Sequence, residues 1–504
     1  MAKPTGIIST FHKQMINRIL YILLVLFIFS GCAQNSLPDA VEVSDKPPVF
    51  PFDFGATLPL NIAPVNYLVK TKCDEGFVIL KSKNSILQNH FSGNQIVFQP
   101  TEWSNFLASS ANDSIFVQFY LKSDKKWLKY RTESYFVSED AIDPYLVYRL
   151  IKPGYQTWSR MGIYQRNLTD FDVSTILDNQ IMPHSCMNCH SMAGNNPDNM
   201  LLHIRYNHSG TILMQHRKVQ KLETKTATTF SSVSFPYWHP SANYIAFSIN
   251  KVRQIFPSHG TARAHAFDQE SDMVIYDVRK NEFFTSPLIF SKDAFEAFPC
   301  FSADGKTLYF VTTPASDMPH NIKNQKYSLC SISFDVENGE LGNKVDTLIS
   351  AAAIGKSFTM PRVSPDGKRI MLTRSDFGNF PAYNEEADLY MYQTADSSLV
   401  AIDEWNSNAV ESYHSWSSNG RWVVFSSRRI DGLYMNAYFA HIDESGKPSK
   451  PFLLPQEEPA FYQNALYSFN IPEFAIKRVD VNPYDIEKVA KSTKGEQVRF
   501  DYSH

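Results

Sequence analysis

Cysteine is scarce in this chain, and the scarcity limits the kinds of site that it can form. Six cysteines occur among 504 residues, and Cys186 and Cys189 form the one Cys-x-x-Cys pair. A structural zinc site needs four ligands, which usually come from two such pairs, so zinc is disfavoured. The chain is also short of net charge: a formal value of −3 gives no basis for nucleic-acid binding.

Motifs of the common enzyme classes are absent as well. The sequence has no Ser-His-Asp motif, no glycine-rich phosphate loop and no His-Glu-x-x-His helix. Long hydrophobic runs are limited to residues 19–29, which fall short of the roughly 20 residues that a spanning helix needs. The sequence therefore offers no catalytic constellation and no predicted membrane span.

What the chain does have is a histidine directly after its cysteine pair. Cys186, Cys189 and His190 form a Cys-x-x-Cys-His run, the pattern of a c-type haem attachment site. Each thiol can form a thioether with a haem vinyl group, and His190 can then bind the iron as the proximal ligand. Chance would give about 0.002 such runs in this composition. We therefore expect covalently bound haem c with its iron; a zinc site and a redox dithiol are the alternatives.

Several side chains near the motif can fill the sixth position of the iron. Met200 is the preferred ligand, because the loop of residues 195–199 before it can fold back over the haem. His203 and His208 are alternatives, and so is an open or water-bound site. A Met/His pair would raise the reduction potential. The other nearby candidates are His184, Met192, Met214 and His216.

Residues 1–31 have the features of a lipoprotein signal peptide. Lys13 and Arg18 precede the apolar run, which ends in Ser30-Gly31-Cys32. This end resembles a lipobox, in which Cys32 is acylated and becomes the new N-terminus, although Phe29 stands where Leu is usual. An ordinary secretory signal is the alternative. We expect a protein outside the cytoplasm, lipid-anchored to the cell envelope and most simply on the periplasmic face of the outer membrane. Haem c attachment agrees with this location, since it takes place outside the cytoplasm.

The remaining chain divides into four predicted parts. Residues 32–51 are polar and proline-bearing, as in an extended tether. Residues 52–140 alternate apolar and polar in short runs separated by turn formers, which favours a small antiparallel β-sandwich. Residues 141–455 carry long-period repeats. Residues 456–504 are expected to be an extension that packs on the repeat region.

The repeats consist of a polar turn followed by an alternating apolar strand. Four copies occupy residues 237–247, 301–310, 363–372 and 416–425. Most turns centre on Asp-Gly or Asn-Gly, which suit a tight hairpin because it needs positive φ. The spacing is typical of β-propeller blades with loop insertions. We expect a propeller of about six blades over residues 141–455, with a haem segment at about 177–200 inserted between early blades.

The repeats resemble those of TolB-like propellers. Ser364 to Lys368 match the Ser-Pro-Asp-Gly-Lys turn of that family, and Ser302 to Lys306 nearly do. The stretch from Met161 through the haem motif to Trp238 is similar to a family of exported Bacteroidetes lipoproteins that combine such a motif with a TolB-like propeller. The resemblance implies a mainly β fold and a platform on which other proteins dock.

Three functions remain open at this stage. The first is electron transfer by a membrane-anchored monohaem cytochrome whose propeller docks a redox partner or an envelope protein. The second is a binding module in which the haem is structural or sensory. The third is a haem-dependent oxidoreductase. Among the other cysteines, Cys73, Cys300 and Cys330 remain, and a disulfide between Cys300 and Cys330 is left open because they fall in neighbouring predicted strands.

Overall fold

The computed structural model describes residues 37–152, 160–256, 264–493 and 495–501, and most of its regular structure is β-strand. The strands form a seven-stranded and a three-stranded sheet near the N-terminus, followed by six sheets of four or five strands. Within these residues, no helix is both long and apolar enough to cross a membrane. Cys32 and the signal peptide lie outside the described residues, so the lipid anchor stays a prediction.

The N-terminal region builds its core from strands that alternate in burial. In the strand Asp113–Ser123, Ile115 and Val117 are fully buried whereas Phe116 between them is exposed. The elements are β1 Val41–Glu42, β2 Val49–Phe50, β3 Thr57–Pro59, β4 Tyr67–Val69, β5 Glu75–Lys81, β6 Ile86–Ser92, β7 Gln95–Ile96, α1 Pro100–Ala108, β8 Asp113–Ser123, β9 Lys126–Lys129 and β10 Glu133–Ser138. The seven-stranded sheet is mixed, because the short strand β1 pairs in parallel with β9 and the short strand β3 pairs in parallel with β10. This differs from the predicted antiparallel sandwich. Direction could not be predicted because those pairs join residues far apart in sequence.

Six antiparallel sheets, numbered 1 to 6 along the chain, follow this region. Sheet 1 contains β11 Tyr145–Ile151, β12 Met161–Asn167, β13 Val173–Asp178 and β34 Ser468–Ala475; sheet 2 contains β14 Ser185–Ala193, β15 Asn196–Tyr206, β16 Gly210–Gln215 and β17 Lys218–Glu223; sheet 3 contains β18 Val233–Trp238, β19 Tyr244–Ile255, β20 His265–Asp277 and β21 Glu282–Phe284. Sheet 4 contains β22 Ala294–Phe301, β23 Thr307–Pro314, β24 Ser328–Asp335 and β25 Glu340–Ile349; sheet 5 contains β26 Ser357–Val363, β27 Arg369–Ser375, β28 Asp388–Gln393 and β29 Leu399–Ala401; sheet 6 contains β30 Glu411–Trp416, β31 Trp422–Ser427, β32 Asn436–His441 and β33 Phe452–Leu453.

Sheet 1 takes one of its strands from the far end of the chain. β34 pairs antiparallel with β11, so that Phe474 lies opposite Leu146. The expectation that the repeat region ends at residue 455 is therefore wrong, because the segment after it completes the first sheet. Two short strands beyond β34, β35 Glu496–Gln497 and β36 Arg499–Phe500, add to the outer edges of sheets 2 and 3. The remaining helices are α2 Ala351–Ile354, α3 Phe461–Asn464 and α4 Pro483–Ala490, and two single 3-10 turns lie at Ile322–Asn324 and Pro381–Tyr383.

The sheets meet through one strand each, which we call the inner strands: β34, β14, β18, β22, β26 and β30. Each inner strand contacts the inner strand of the next sheet, and β30 contacts β34, which contacts β14, so the contacts form a closed cycle. Apolar side chains fill the spaces between successive sheets, as between sheets 1 and 2, where Ile163, Met187 and Leu202 are fully buried. The architecture is thus mainly β and propeller-like.

The four turns predicted from the repeats are confirmed as hairpins. They join the first two strands of sheets 3, 4, 5 and 6. In three of them a glycine, Gly305, Gly367 or Gly420, has a φ of about +70°. In the copy that has lost its glycine, Ala242 takes the same region at φ 57°. The turn geometry is therefore kept even where the favourable residue is not.

The haem segment is not an insertion. Residues 185–206 form β14 and β15, the first two strands of sheet 2, and pair over most of their length. Met187, Met192 and Met200 pack with sheet 1 in one core. The segment was predicted to be an insertion because its cysteines and histidine suggested a ligand loop, whereas its apolar residues satisfy the burial pattern of a strand pair.

Candidate functional site

The Cys-x-x-Cys-His run lies on β14, where that strand carries a bulge. Between the paired residues Asn188 and Ser191, β14 advances three residues while β15 advances two. Cys189, inside the bulge, has a positive φ of 44°. A bulge leaves its extra residue outside the ladder and changes the direction of the neighbouring side chains. Cys189 and His190 are therefore released from the simple alternation of the strand.

The same bulge recurs in the other five inner strands. In each one the register shifts by one residue next to a residue of positive φ. These positive-φ residues are Phe235, Phe298, Met360, Tyr413 and Ile471. The motif thus occupies a structural position that all six sheets share.

The residue after the positive-φ position shows what this place requires. It is proline in four sheets and histidine in two, namely Pro236, Pro299, Pro361, Pro472, His190 and His414. Proline has no N–H to donate and fits a bulge, where the ladder is interrupted. His190 therefore fills a place that the repeat fills in every sheet, whether or not a ligand is present.

His190 is enclosed and makes no hydrogen bond. Its side chain is fully buried, and neither ring nitrogen has a partner among the described residues. The nearest acidic group is the carboxyl of Glu473 on β34, whose Oε2 lies 4.0 Å from Nε2. The pKa of His190 is lowered to about 3, mainly by burial and partly by the nearby Arg149, against the opposing effect of the Val147 backbone. The imidazole is therefore neutral, the form in which it can bind a metal.

The two thiols are close to this imidazole in sequence and are both free and buried. Burial raises the pKa of Cys186, although Arg149 and Arg205 favour its thiolate, and the neighbouring Cys189 raises it again. Cys189 faces the central cavity described next, whereas Cys186 is not part of its wall.

A cavity of about 300 Å³ lies among the inner strands, and all six sheets contribute to its wall. Cys189 and His190 form part of the wall on sheet 2, and His414 does so on sheet 6. The wall extends from the six bulges to the turns at the ends of the inner strands, where it includes Gly194 and Pro365. The cavity is therefore a space along the centre of the molecule.

The cavity wall includes one basic and one acidic residue, Arg362 and Glu473. Arg362 lies over the ring of Tyr237, with its guanidinium carbon 5.3 Å from the ring centre. Glu473 accepts a hydrogen bond from the Met192 amide at 3.1 Å. Burial raises the pKa of Glu473 to about 8, against the opposing effects of that amide and of Arg362.

The structure does not bring the preferred sixth ligand to the cavity. Met200 is fully buried in the core between sheets 1 and 2 and does not line the cavity. His203 is buried as well, with its Nδ1 2.8 Å from the Thr211 hydroxyl. The other candidates divide into exposed residues and core residues. His184, His208 and His216 are exposed, Met214 packs in the same core as Met200, and Met192 reaches the cavity wall.

Cys300 and Cys330 are free thiols in this structure. They lie on β22 and β24, and β23 runs between those two strands in sheet 4. The two cysteines thus belong to the same sheet but not to adjacent strands, and the disulfide left open by the sequence is not formed.

The donor set fits a c-type haem in its chemistry. Two free thiols stand three residues apart, and the imidazole beside them has two buried nitrogens with no partner, one of which can bind iron. Buried polar atoms without partners are uncommon and call for an explanation such as an absent ligand. The cavity volume lies at the lower end of the roughly 300–1,000 Å³ typical of small-molecule sites. Because Cys186 does not line this cavity, a haem held by both thiols would not lie wholly within it.

Sequence reasoning missed Arg362, His414 and Glu473. A signal for them exists: the inner strands share the pattern of a bulge residue, proline or histidine, one variable residue and then an apolar residue. Examples are Phe-Pro-Tyr-Trp at 235–238, Met-Pro-Arg-Val at 360–363 and Cys-His-Ser-Met at 189–192. Aligning these tetrapeptides would have placed the motif inside the repeat.

Comparisons with known proteins give no functional assignment. No family model matches the chain, and no curated protein does. Among solved structures, prolyl oligopeptidase B from Galerina marginata is similar over 67% of this chain and 42% of its own, at 10% identity and a TM-score of 0.34. An oligogalacturonate lyase in complex with manganese is similar over 60% and 72%, at 9% identity and a TM-score of 0.34. A DUF4784 family protein from Bacteroides caccae is similar over 70% and 94%, at 9% identity and a TM-score of 0.30.

These likenesses are too distant to carry an argument about function. The matched part spans less than half the length of the prolyl oligopeptidase chain. The site must therefore be interpreted from its own residues.

Proposed function

We propose that this chain is an extracytoplasmic, membrane-anchored monohaem c-type cytochrome-like protein that transfers electrons, built on a closed six-bladed TolB-like β-propeller. The observation that carries the proposal is the combination at one bulge of two free thiols and a fully buried imidazole without a partner. Haem supplies one-electron transfer when it is bound.

The residues of this chain have distinct parts in the proposal. The thiols of Cys186 and Cys189 would hold a haem through two thioethers, each formed by addition of S–H across a vinyl double bond, which needs no oxidant. His190 would supply the ligand to the iron, because burial keeps its pKa well below the usual range and the imidazole neutral. Glu473 is the acidic neighbour of that imidazole, with its carboxyl 4.0 Å away.

The propeller has the remaining part of the function. Its faces provide the docking surface for a redox partner or another envelope protein, and the tether and lipid at Cys32 hold it near a membrane. Several acyl chains are needed for firm anchoring, since a single chain binds only marginally. These elements rest on the sequence resemblance and on the signal peptide.

The test is an absorbance spectrum of protein made in a host that matures c-type cytochromes. We expect a reduced-minus-oxidised spectrum of haem c that carbon monoxide does not change, as for six-coordinate iron. The variant Cys186→Ala, Cys189→Ala should be colourless. The matched control Cys300→Ala, Cys330→Ala removes two other buried thiols and should keep the spectrum. A colourless wild-type protein contradicts the proposal, and rapid carbon monoxide binding favours the oxidoreductase instead.

A second candidate function is a binding module without electron transfer. The observation that favours it is the equivalence of His190 with four prolines and with His414, which gives His190 a structural reason to be buried. In that case the propeller binds a protein or an envelope ligand, and any haem is structural or sensory. A protein that folds fully without haem and keeps its partner binding would support it.

A further inference from the structure

We propose that the central cavity binds a small ligand in which one carboxylate is joined to an aromatic or other apolar body, and that Arg362 receives the carboxylate. This goes beyond electron transfer, because it concerns the part of the cavity toward the turns and needs no haem.

Arg362 is a cation whose guanidinium has more N–H donors than its hydrogen bond to the backbone uses. Its Nη1 donates to the Pro361 carbonyl at 2.8 Å, and its guanidinium carbon lies over the Tyr237 ring, 5.3 Å from the ring centre. In the part of the chain that the structure describes, no carboxylate lies within 4.0 Å of it. A guanidinium has five N–H donors in a planar fork that matches a carboxylate in two places. The free side of the fork is therefore a ready partner for a carboxylate in the cavity.

The one acidic side chain of the wall does not take this role. Glu473 directs one oxygen to the Met192 amide, at 3.1 Å, and the other toward His190, at 4.0 Å. Both of these neighbours lie on sheet 2, whereas Arg362 lies on sheet 5. The carboxyl is thus engaged toward sheet 2, and it forms no ion pair with Arg362 within 4.0 Å.

The rest of the wall determines the body of the ligand. Seven aromatic rings contribute to it, those of Phe235, Tyr237, Trp238, Phe298, Phe301, Tyr413 and Trp416. Aromatic walls with a few polar groups favour an apolar ligand that those groups orient. A volume of about 300 Å³ suits a molecule with a single ring system. We therefore expect an arylalkyl monocarboxylate or a molecule of the same chemistry.

The proposal can be tested by calorimetric titration of full-length protein produced in a host that matures c-type cytochromes. The probes are 3-phenylpropionate and its uncharged amide. We expect one site for the acid and binding of the amide that is at least tenfold weaker. Arg362→Met should weaken the binding of the acid at least tenfold and leave the binding of the amide unchanged. Arg374→Met is the matched control, because Arg374 lies on β27 of the same sheet and outside the cavity wall.

A second variant keeps the test valid if Arg362→Met fails to fold. Arg362→Lys keeps the charge and loses the planar fork, so it should bind the acid with an affinity between those of the wild type and the Met variant. Equal binding of acid and amide, tighter binding of phenethylamine, or no binding of either probe at millimolar concentration would each overturn the proposal. The readout is the heat of binding and not the haem spectrum, so failure of this proposal can be distinguished from failure of the proposed cytochrome function.

Discussion

Two buried imidazoles, one on sheet 2 and one on sheet 6, occupy equivalent places in this molecule. His190 and His414 each follow the positive-φ residue of an inner-strand bulge. Both are about 3% exposed, and all four ring nitrogens lack a hydrogen-bond partner among the described residues. Burial lowers the pKa of each to about 3. Their environments are thus alike in burial, charge state and lack of partners.

The difference between them is the pair of cysteines. Only His190 follows two thiols at the haem spacing. The residues four and one positions before His414 are Val410 and Tyr413. The comparison teaches that a buried imidazole without a partner is not by itself a sign of a ligand, since the repeat produces one where no thiol is present. The case for haem therefore rests on the cysteines, and the proposal assigns to His190 an imidazole that the fold buries in any case.

The largest effect is expected from exchanging each histidine for the residue that the other four sheets use. We expect His190→Pro to lose nearly all haem absorbance and His414→Pro to keep most of it. Both changes replace an imidazole by proline at equivalent positions of the inner-strand bulges. Absorbance per mole of purified protein measures this, and circular dichroism checks that both variants fold. Equal loss in the two variants would mean that packing, not iron binding, sets the signal.

A second test compares two buried core methionines, Met200 on sheet 2 and Met371 on sheet 5. Met200 and Met371 are both fully buried, so we expect Met200→Ala and Met371→Ala to cost about 2–5 kcal/mol each in free energy of unfolding. Met200→Leu should cost less than ~1.5 kcal/mol, because it nearly conserves volume. Urea unfolding measures both costs.

The same variants decide what Met200 does for the iron. Met200→Leu should leave the absorbance spectrum of the haem unchanged if the residue serves the core alone, as its burial indicates. A spectrum altered by Met200→Leu and not by Met371→Leu would instead assign the sixth position to Met200.

Burial acts in the opposite direction on the carboxyl of Asp268. It raises the pKa of this group from 3.8 to about 7, although Asn250 and Asn379 donate hydrogen bonds to it. The folded state therefore binds more protons between these two values, so stability is lost as pH rises through this window. We expect Asp268→Asn to reduce that loss by on the order of 1–4 kcal/mol. Asp198→Asn, at an exposed carboxyl, is the control.

Thermal unfolding at several pH values between 4 and 8 measures this effect. Parallel curves for the wild type and Asp268→Asn would contradict the assignment of a raised pKa. A shift in the Asp198→Asn control of the same size would mean that net charge, not burial, is responsible.

The smallest effect concerns the repeat turns. Ala242 takes a positive φ where Gly367 stands in another copy. We expect Ala242→Gly to stabilise and Gly367→Ala to destabilise, each by about 1 kcal/mol, because a side chain at positive φ is strained. The added Cβ at Gly367 would meet only the Ala303 Cβ at 3.5 Å, so the cost would come from the backbone. Chemical unfolding measures the change in free energy of unfolding of each variant. Changes in the same direction for both variants would contradict this explanation.

The sequence could predict the parts of the fold that depend on local chemistry. The Asp-Gly and Asn-Gly turns are local, so the hairpins at Gly305, Gly367 and Gly420 followed from them. The pairing of β34 with β11 joins residues more than 300 positions apart and leaves no local mark. The same limit applies to Arg362 and Glu473, which both line the cavity only after the six sheets have packed together.

The motif itself was ambiguous for a physical reason. Cys186 to His190 satisfy the spacing of a haem site, and Met187 and Met192 satisfy the burial of a strand. Both requirements can hold in one segment, and sequence periodicity over so few residues cannot separate them. The insertion was therefore predicted wrongly, while the assignment of Cys186, Cys189 and His190 to haem stays a prediction.

The most direct test is the intact mass of the denatured protein after production in a host that matures c-type cytochromes. A covalent haem survives denaturation, so we predict the polypeptide mass plus one haem, lost in Cys186→Ala, Cys189→Ala and retained in His414→Pro. A mass equal to that of the polypeptide with its lipid alone would contradict the account.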